Sequence, residues 1–447
     1  MDSLGKDGVR LRRAVGLGFG IAVTVGGTVG AGILRSPATI AASLGRADLI
    51  LLVWAFVALL AMLGANCYAE LASALPHAGG PYVYARRAIG PFAGFAVGWC
   101  DWIAQCCAGA YCAVTLGDFL ASLLPGLRGH ESLLGIGILV GLTLMNLRGI
   151  NIASAFQLWM SAAKAVGLIA IAIGCWFVAG ATGGSALKAP ALTAPVGLAL
   201  LAPFVLSVRA AIETYSGWNG VVYFSEDQRE PAKNLSRSLY WGIVGITVLY
   251  VLINVSVLAV MPMSELQGSV LPVADAARHI FGGASSQIVT LLSAVSMIGI
   301  LHVTVMGAPR ILFGLARDGL MHSGASQVTS SGAPGTASAI STAAMCMLTM
   351  SSSFTVLFAM AGFMNLVTDA AVYFSFFNLR RTEPQLARPY QAIGYPWLPL
   401  CALLLSASLL LGFVAGDWRT SLYTAALLVV CYPVFLAISA RTRRSNA

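Results

Sequence analysis

Charge is what this 447-residue chain has least of. Asp, Glu, Lys and Arg together make up 10% of it, against roughly a quarter of an average soluble domain, so a polar coat for a water-borne globule is missing. Histidine is rarer still, with five in all. The nine cysteines (Cys67, Cys100, Cys106, Cys107, Cys112, Cys175, Cys346, Cys401 and Cys431) include no CxxC pair and no Cys/His group at metal-ligand spacing. A zinc site and a dithiol redox motif are thereby excluded, and because every cysteine lies in an apolar run, so is a framework of outer disulfides; they read as packing residues. A nucleophile with its base is likewise missing from the apolar segments, which argues against an enzyme. Basic residues are scattered, without the interleaved aromatic platform that nucleic acid needs. The tail with Lys6, Arg10, Arg12 and Arg13 runs into an apolar stretch that lacks a small-residue cleavage site, so the first helix is expected to be retained.

What is abundant is hydrocarbon. Hydrophobic residues make up 58% of the chain and the mean hydropathy is +0.83. Apolar runs of about 20 residues recur, each long enough for a hydrocarbon core of roughly 30 Å. The reading is an all-α polytopic membrane protein. Twelve spans can be drawn, near 14–44, 48–75, 92–123, 131–147, 153–180, 196–225, 238–261, 286–316, 335–351, 354–379, 396–416 and 419–440. With the N-terminus inside, the inner segments carry eighteen Lys and Arg, among them Arg86, Arg87, Arg380, Arg381 and Arg388. The outer loops hold Arg46, Arg128, Lys188, Arg278 and Arg419. The positive-inside rule then puts both termini in the cytoplasm, in agreement with an even span count, and the net charge of +9 is mostly topology.

Two of these runs are interrupted. The first carries Gly26-Gly27-Thr28-Val29-Gly30-Ala31-Gly32 inside a stretch otherwise able to cross as one helix. The sixth carries Glu213-Thr214-Tyr215-Ser216-Gly217-Trp218-Asn219-Gly220. An unpartnered backbone amide in lipid costs several kcal/mol, so a membrane helix breaks only where the freed groups face a cavity, an ion or a ligand. Two breaks five spans apart are the pattern of an inverted five-plus-five repeat with a binding site near the midplane. The repeats would be 14–180 and 196–379, with two additional helices in 396–440 and cytoplasmic tails 1–13 and 441–447.

Several stretches, in order along the chain, resemble the amino acid, polyamine and organocation transporter superfamily, and its L-type amino acid transporter branch most. Gly30-Ala31-Gly32-Ile33-Leu34 is similar to its Gly-Ser-Gly-Ile-Phe element, and Tyr215-Ser216-Gly217-Trp218-Asn219 to its Tyr-Gly-Gly-Trp-Asn element. Tyr68 to Leu71 with Gly79 to Tyr84 resembles the second inner loop. Ser225 to Leu235 resembles the acidic stretch after span six, and Arg388-Pro389-Tyr390 the re-entry before span eleven.

The resemblance implies a sodium-independent secondary transporter or exchanger of amino acids that works by alternating access; a proton-coupled permease for an organic amine or polyamine is the alternative. A zwitterion needs donors for its carboxylate and acceptors for its ammonium. Freed amides at Gly30, Ala31 and Gly32 suit the first, and carbonyls near Thr28, Glu213 and Thr214 the second. Ala31 stands where the family has Ser, which removes one hydroxyl donor. Trp218 and Asn219 would approach the side-chain pocket, and Asn365 resembles the asparagine lining it; each can also be satisfied by packing alone. Lys164, costly at membrane depth, resembles the lysine that replaces a sodium ion between spans one, five and eight. His302 stands where Asn is commoner; it is either a neutral residue bonded within the bundle or a proton-coupling group. Glu213 replaces a gating aromatic, with Arg209 one turn before it and Arg35 beyond the first break. It is then either part of an outer gate or a residue that selects cationic substrates. Glu70 reads as an inner structural anchor, whereas the roles of Asp101, Asp118 and Asp369 stay open. No cofactor, metal or nucleic acid is expected. An amino acid and the lipid bilayer are the expected partners, with an ancillary subunit or homodimer left open. The expected location is the cell membrane, as a multi-pass protein of a bacterial inner membrane.

Overall fold

The structure is a computed structural model that describes residues 11, 13–30, 32–181, 197–351, 353–416 and 418–445. Ala31, the tail residues 1–10 and Arg12, and Lys188 lie outside the described residues. Among the described residues every regular element is a helix, and the one strand-like pairing is the isolated bridge of Val15 with Gln228.

In chain order the helices are α1 (Leu17–Thr28), α2 (Gly32–Leu44), α3 (Ala47–Ala74), α4 (Pro81–Ala88), α5 (Pro91–Leu123), α6 (Glu131–Asn146), α7 (Ile150–Ala181) and α8 (Leu201–Tyr215). They continue as α9 (Pro231–Val260), α10 (Met263–Gly268), α11 (Pro272–Phe281), α12 (Ser285–Arg317), α13 (Gly335–Ser351), α14 (Phe354–Thr382), α15 (Trp397–Gly416) and α16 (Trp418–Ser445). Proline opens α4, α5, α9 and α11, where its missing N–H is unneeded and its fixed φ suits the first turn.

Nine described helical segments are long and apolar enough to cross a membrane, and ten if α1 and α2, inclined by 49°, count as one bent crossing. This makes the protein a multi-pass membrane protein. The helices α6 and α13 occupy the fourth and ninth expected spans but have 16 and 17 residues. At 1.5 Å per residue each covers roughly 25 Å, short of a 30 Å core.

Packing places α5 at the centre, against α12, α14 and α6, while α9 lies along α3 and α1. Charge collects at one end of the bundle. Glu70, 1% exposed, accepts from the Arg380 guanidinium, from Arg388 Nε at 3.0 Å and from the Ala392 amide at 2.7 Å. Arg310 holds Asp227 at 2.8 Å with both side chains buried, and Arg317 holds Glu226 at 2.8 Å. Burial pushes the Asp227 carboxyl up from the ordinary carboxylate range, against the opposing pull of Arg310. Removing one partner of a buried pair costs about 3–5 kcal/mol, so these contacts pin the loops after α8 and α14 to the helix ends.

Candidate functional site at the paired helix breaks

The two interruptions meet backbone to backbone. After α8 ends at Tyr215, Gly217 takes φ +101 and a short 3-10 segment, Trp218–Phe224, carries the chain on. A Cβ on Gly217 would sit 2.5 Å from the Gly27 carbonyl oxygen, and one on Gly27 would sit 3.3 Å from the Gly217 oxygen. Glycine at both places lets the breaks touch.

A helix leaves its last carbonyls without partners, and here side chains from other helices take them. From α7, Lys164 Nζ donates to the Gly26 oxygen at 2.8 Å, the Val29 oxygen at 2.9 Å and, on α12, the Ser296 oxygen at 3.3 Å. Its three donors thus find three acceptors, and the positive end of the side chain lies at the negative end of α1. Gly299 makes the room, since a Cβ there would lie 2.8 Å from Lys164 Nζ. Tyr250, from α9, places its hydroxyl 2.9 Å from the Thr214 oxygen and 3.3 Å from the Thr28 oxygen, so one group joins both breaks. Trp54 and Tyr215 hold that ring edge-on at 5.3 and 4.9 Å. The carbonyls expected to stand open at Thr28 and Thr214 are therefore shared with Tyr250, and the Glu213 oxygen accepts from the Ser216 amide at 3.3 Å. An aromatic in an apolar helix gives no sequence signal for such a role.

The other side of the site is the start of α2, whose first amides lack partners within the helix. Gly32 is exposed there, Gly30 is buried against Ile300 and Met297, and the Thr214 and Ser36 hydroxyls lie 2.6 Å apart. Next to the break, Trp218 packs edge-on against Tyr68 at 5.2 Å. Asn219 Nδ2 donates to the Tyr68 hydroxyl at 3.3 Å. Asn365, on α14, is half-buried and makes no hydrogen bond among the described residues.

Arg209 Nε donates to Glu213 Oε1 at 3.2 Å, both side chains being about two-fifths exposed. The Arg209 guanidinium also lies 5.1 Å over the Phe413 ring, a contact between α8 and α15 that the sequence did not signal. Arg35 is exposed and forms no ion pair among the described residues, so it stands apart from Glu213. His302, on α12, is fully buried: Nδ1 lies 2.7 Å from Gln157 Oε1 and Nε2 2.8 Å from Asn146 Oδ1. Gln157 Nε2 in turn reaches the Ala22 oxygen at 3.4 Å, which fixes its oxygen toward the ring. The Asn146 nitrogen has no partner; with that amide turned, it donates to Nε2, and a neutral ring protonated at Nδ1 uses both of its nitrogens. Among the described residues no group of His, Cys, Asp or Glu could hold a metal ion. A cavity of about 480 Å³ between α10, α11 and the start of α12 includes none of these residues.

A polytopic helical protein whose two broken helices meet, with their open ends held by buried side chains, has the build of a membrane carrier rather than a pore. The chain belongs to the amino acid permease family, whose profile matches residues 20–436. It is 30% identical over 320 residues to the b(0,+)-type amino acid transporter 1 of Mus musculus, covering 70% of this chain and 64% of that protein. It is 25% identical over 405 residues to the serine/threonine exchanger SteT of Bacillus subtilis (strain 168), covering 88% and 89%. The large neutral amino acids transporter small subunit 2 of Homo sapiens is 29% identical over 333 residues, covering 70% and 60%. The chain thus spans less than two thirds of the b(0,+)-type protein's length.

Proposed function

We propose that this chain is a sodium-independent secondary transporter or exchanger of amino acids, with the amino acid bound where the two breaks meet. The observation that carries the reading is the contact of Gly27 with Gly217, flanked by Lys164 on one side and the open amides of α2 on the other. The substrate carboxylate would face the amides from Gly30 to Gly32, where the positive end of α2 favours an anion. Its ammonium would take the Thr28 and Thr214 carbonyls in place of the Tyr250 hydroxyl, while Asn365 and Trp218 face its side chain. Lys164 fills the place of a sodium ion, since its donors occupy the carbonyls an ion would need. Glu213, neutralised by Arg209, belongs to an outer gate with Phe413, and His302 is a neutral structural residue. Twelve crossings, repeats at 14–180 and 196–379, two additional helices in 396–440 and both termini in the cytoplasm complete the arrangement. On this reading the protein makes no covalent change to its substrate.

Counterflow of a radiolabelled amino acid panel into proteoliposomes tests it, with sodium present and with sodium replaced by choline. The expected result is uptake of at least one neutral or small amino acid at the same rate in both media. Strict sodium dependence overturns the reading of Lys164, and counterflow of amines alone hands the site to the amine-permease alternative.

A further inference from the structure

Two aspartates lie within the bundle without a cation, Asp101 buried and Asp369 half-buried. Asp101, on α5, is 1% exposed; its Oδ1 accepts from the Tyr223 hydroxyl at 2.8 Å, and that hydroxyl accepts from Gln105 Nε2 at 3.1 Å. Asp369, on α14, accepts from the Tyr68 hydroxyl at 2.5 Å, which accepts from Asn219 Nδ2 at 3.3 Å. The same relay, carboxyl to tyrosine to amide, is built twice from different helices. The Asp101 charge lies within electrostatic reach of Asp369. Asp101 Oδ2 has no partner, and neither has the Thr368 hydroxyl, 2% exposed, next in sequence to Asp369.

The titratable groups facing the pair are Tyr68 on α3, Tyr84 on α4, Cys100 on α5, Tyr223 after α8 and Tyr373 on α14. Among the described residues, no Lys, Arg or His pairs with either carboxyl. An ionised carboxylate as buried as Asp101 costs several kcal/mol, and a second negative charge at Asp369 adds repulsion to that. Neutralisation therefore has to come from a mobile cation. Asp101 Oδ2 is buried, which leaves no room for an ammonium group or a hydrated ion; a proton needs none.

We propose that Asp101 and Asp369 form the proton-binding site of this transporter, filled while the segment Trp218–Phe224 packs against them and emptied when it moves. The inference rests on the transport reading above. Tyr223 and Asn219 both belong to that segment, the half of the broken helix beyond Gly217. Its displacement during alternating access withdraws one hydroxyl from Asp101 and one amide from the Tyr68 relay, and it admits water to both carboxyls. Protonation adds one proton to a carboxylate oxygen and release returns it to water, so no other reactant is involved. Substrate movement and proton movement are then linked through one element.

The test uses the full chain in proteoliposomes, read by two assays: amino acid counterflow at equal pH, and accumulation driven by an acid-outside pH gradient. Wild-type protein is expected to do both. Asp101→Asn and Asp369→Asn are expected to keep counterflow within a small factor of wild type and to lose gradient-driven accumulation. Tyr223→Phe, which removes one donor, is expected to shift the external pH of half-maximal accumulation by about one unit, the size of a lost hydrogen bond to a charged group. Infrared difference spectra provide a measurement on wild-type protein alone: the C=O stretch of a protonated carboxyl should disappear as the site opens. Accumulation that survives in both Asn variants overturns the proposal. So does a wild-type protein that counterflows amino acids and ignores the pH gradient, an outcome that leaves the transport reading standing. Absence of any counterflow overturns the transport reading beneath it.

Discussion

Lys164 and Tyr250 perform one task from opposite sides, each giving hydrogen-bond donors to carbonyls that broken helices leave open. Removing the lysine orphans up to three buried acceptors, each at about 1–3 kcal/mol. Lys164→Ala is therefore expected to lower counterflow by about tenfold or more, the effect of roughly 1.4 kcal/mol, while the protein still inserts and elutes as a folded species in detergent. Wild-type turnover in that folded variant would remove the lysine from the mechanism. Glu213 calls for a smaller number. Its partner Arg209 is 3.2 Å away but both side chains are partly exposed, and such pairs are worth about 0.2–1 kcal/mol. Glu213→Gln and Arg209→Ala should each slow counterflow of every substrate by a similar factor, no more than about fivefold. A selective loss of cationic substrates in Glu213→Gln, with neutral ones unaffected, would instead make Glu213 a specificity residue.

At the scale of elements, the function depends on helices that stop at the right place. The segment after α8 can begin only because Gly217 adopts φ +101, a conformation that costs other residues about 1–3 kcal/mol, and because nothing projects from it toward the Gly27 carbonyl. Both reasons apply to Gly217→Ala; at Gly27 only the contact applies, and that contact is looser. Gly217→Ala is expected to abolish counterflow and to lower the unfolding temperature in detergent, whereas Gly27→Ala should retain measurable transport. Equal effects from the two substitutions would argue that the breaks do not depend on their mutual approach. The elements at the charged end behave differently. Glu70, held by Arg380 and Arg388, and Asp227, held by Arg310, fix loops to helix ends.

For the whole molecule, the proposed orientation with both termini in the cytoplasm rests on the excess of Lys and Arg in the expected inner segments, because moving such charges across the bilayer during insertion is costly. Epitope tags at the two ends should both resist protease added outside intact cells and both be cut after the membrane is opened; cleavage of one tag alone would refute an even number of crossings. Sequence by itself determined the membrane class, the position of the first break from Gly26 to Gly32 and of the second at Ser216 to Gly220, and the family motifs. These follow from local composition, since hydrocarbon selects apolar runs and glycine marks where a helix yields. The depth of Lys164 was legible for the same reason. Only the tertiary structure decided which groups occupy the freed carbonyls, that Tyr250 spans both breaks, that Arg209 rather than Arg35 holds Glu213, and that Asp101 and Asp369 share a region without a cation. Those contacts join residues between 4 and 301 positions apart, and on helices apolar around most of their circumference the pattern does not say which face meets which neighbour. Helix packing makes that choice, through close approach and hydrogen bonds between segments that composition alone leaves equivalent.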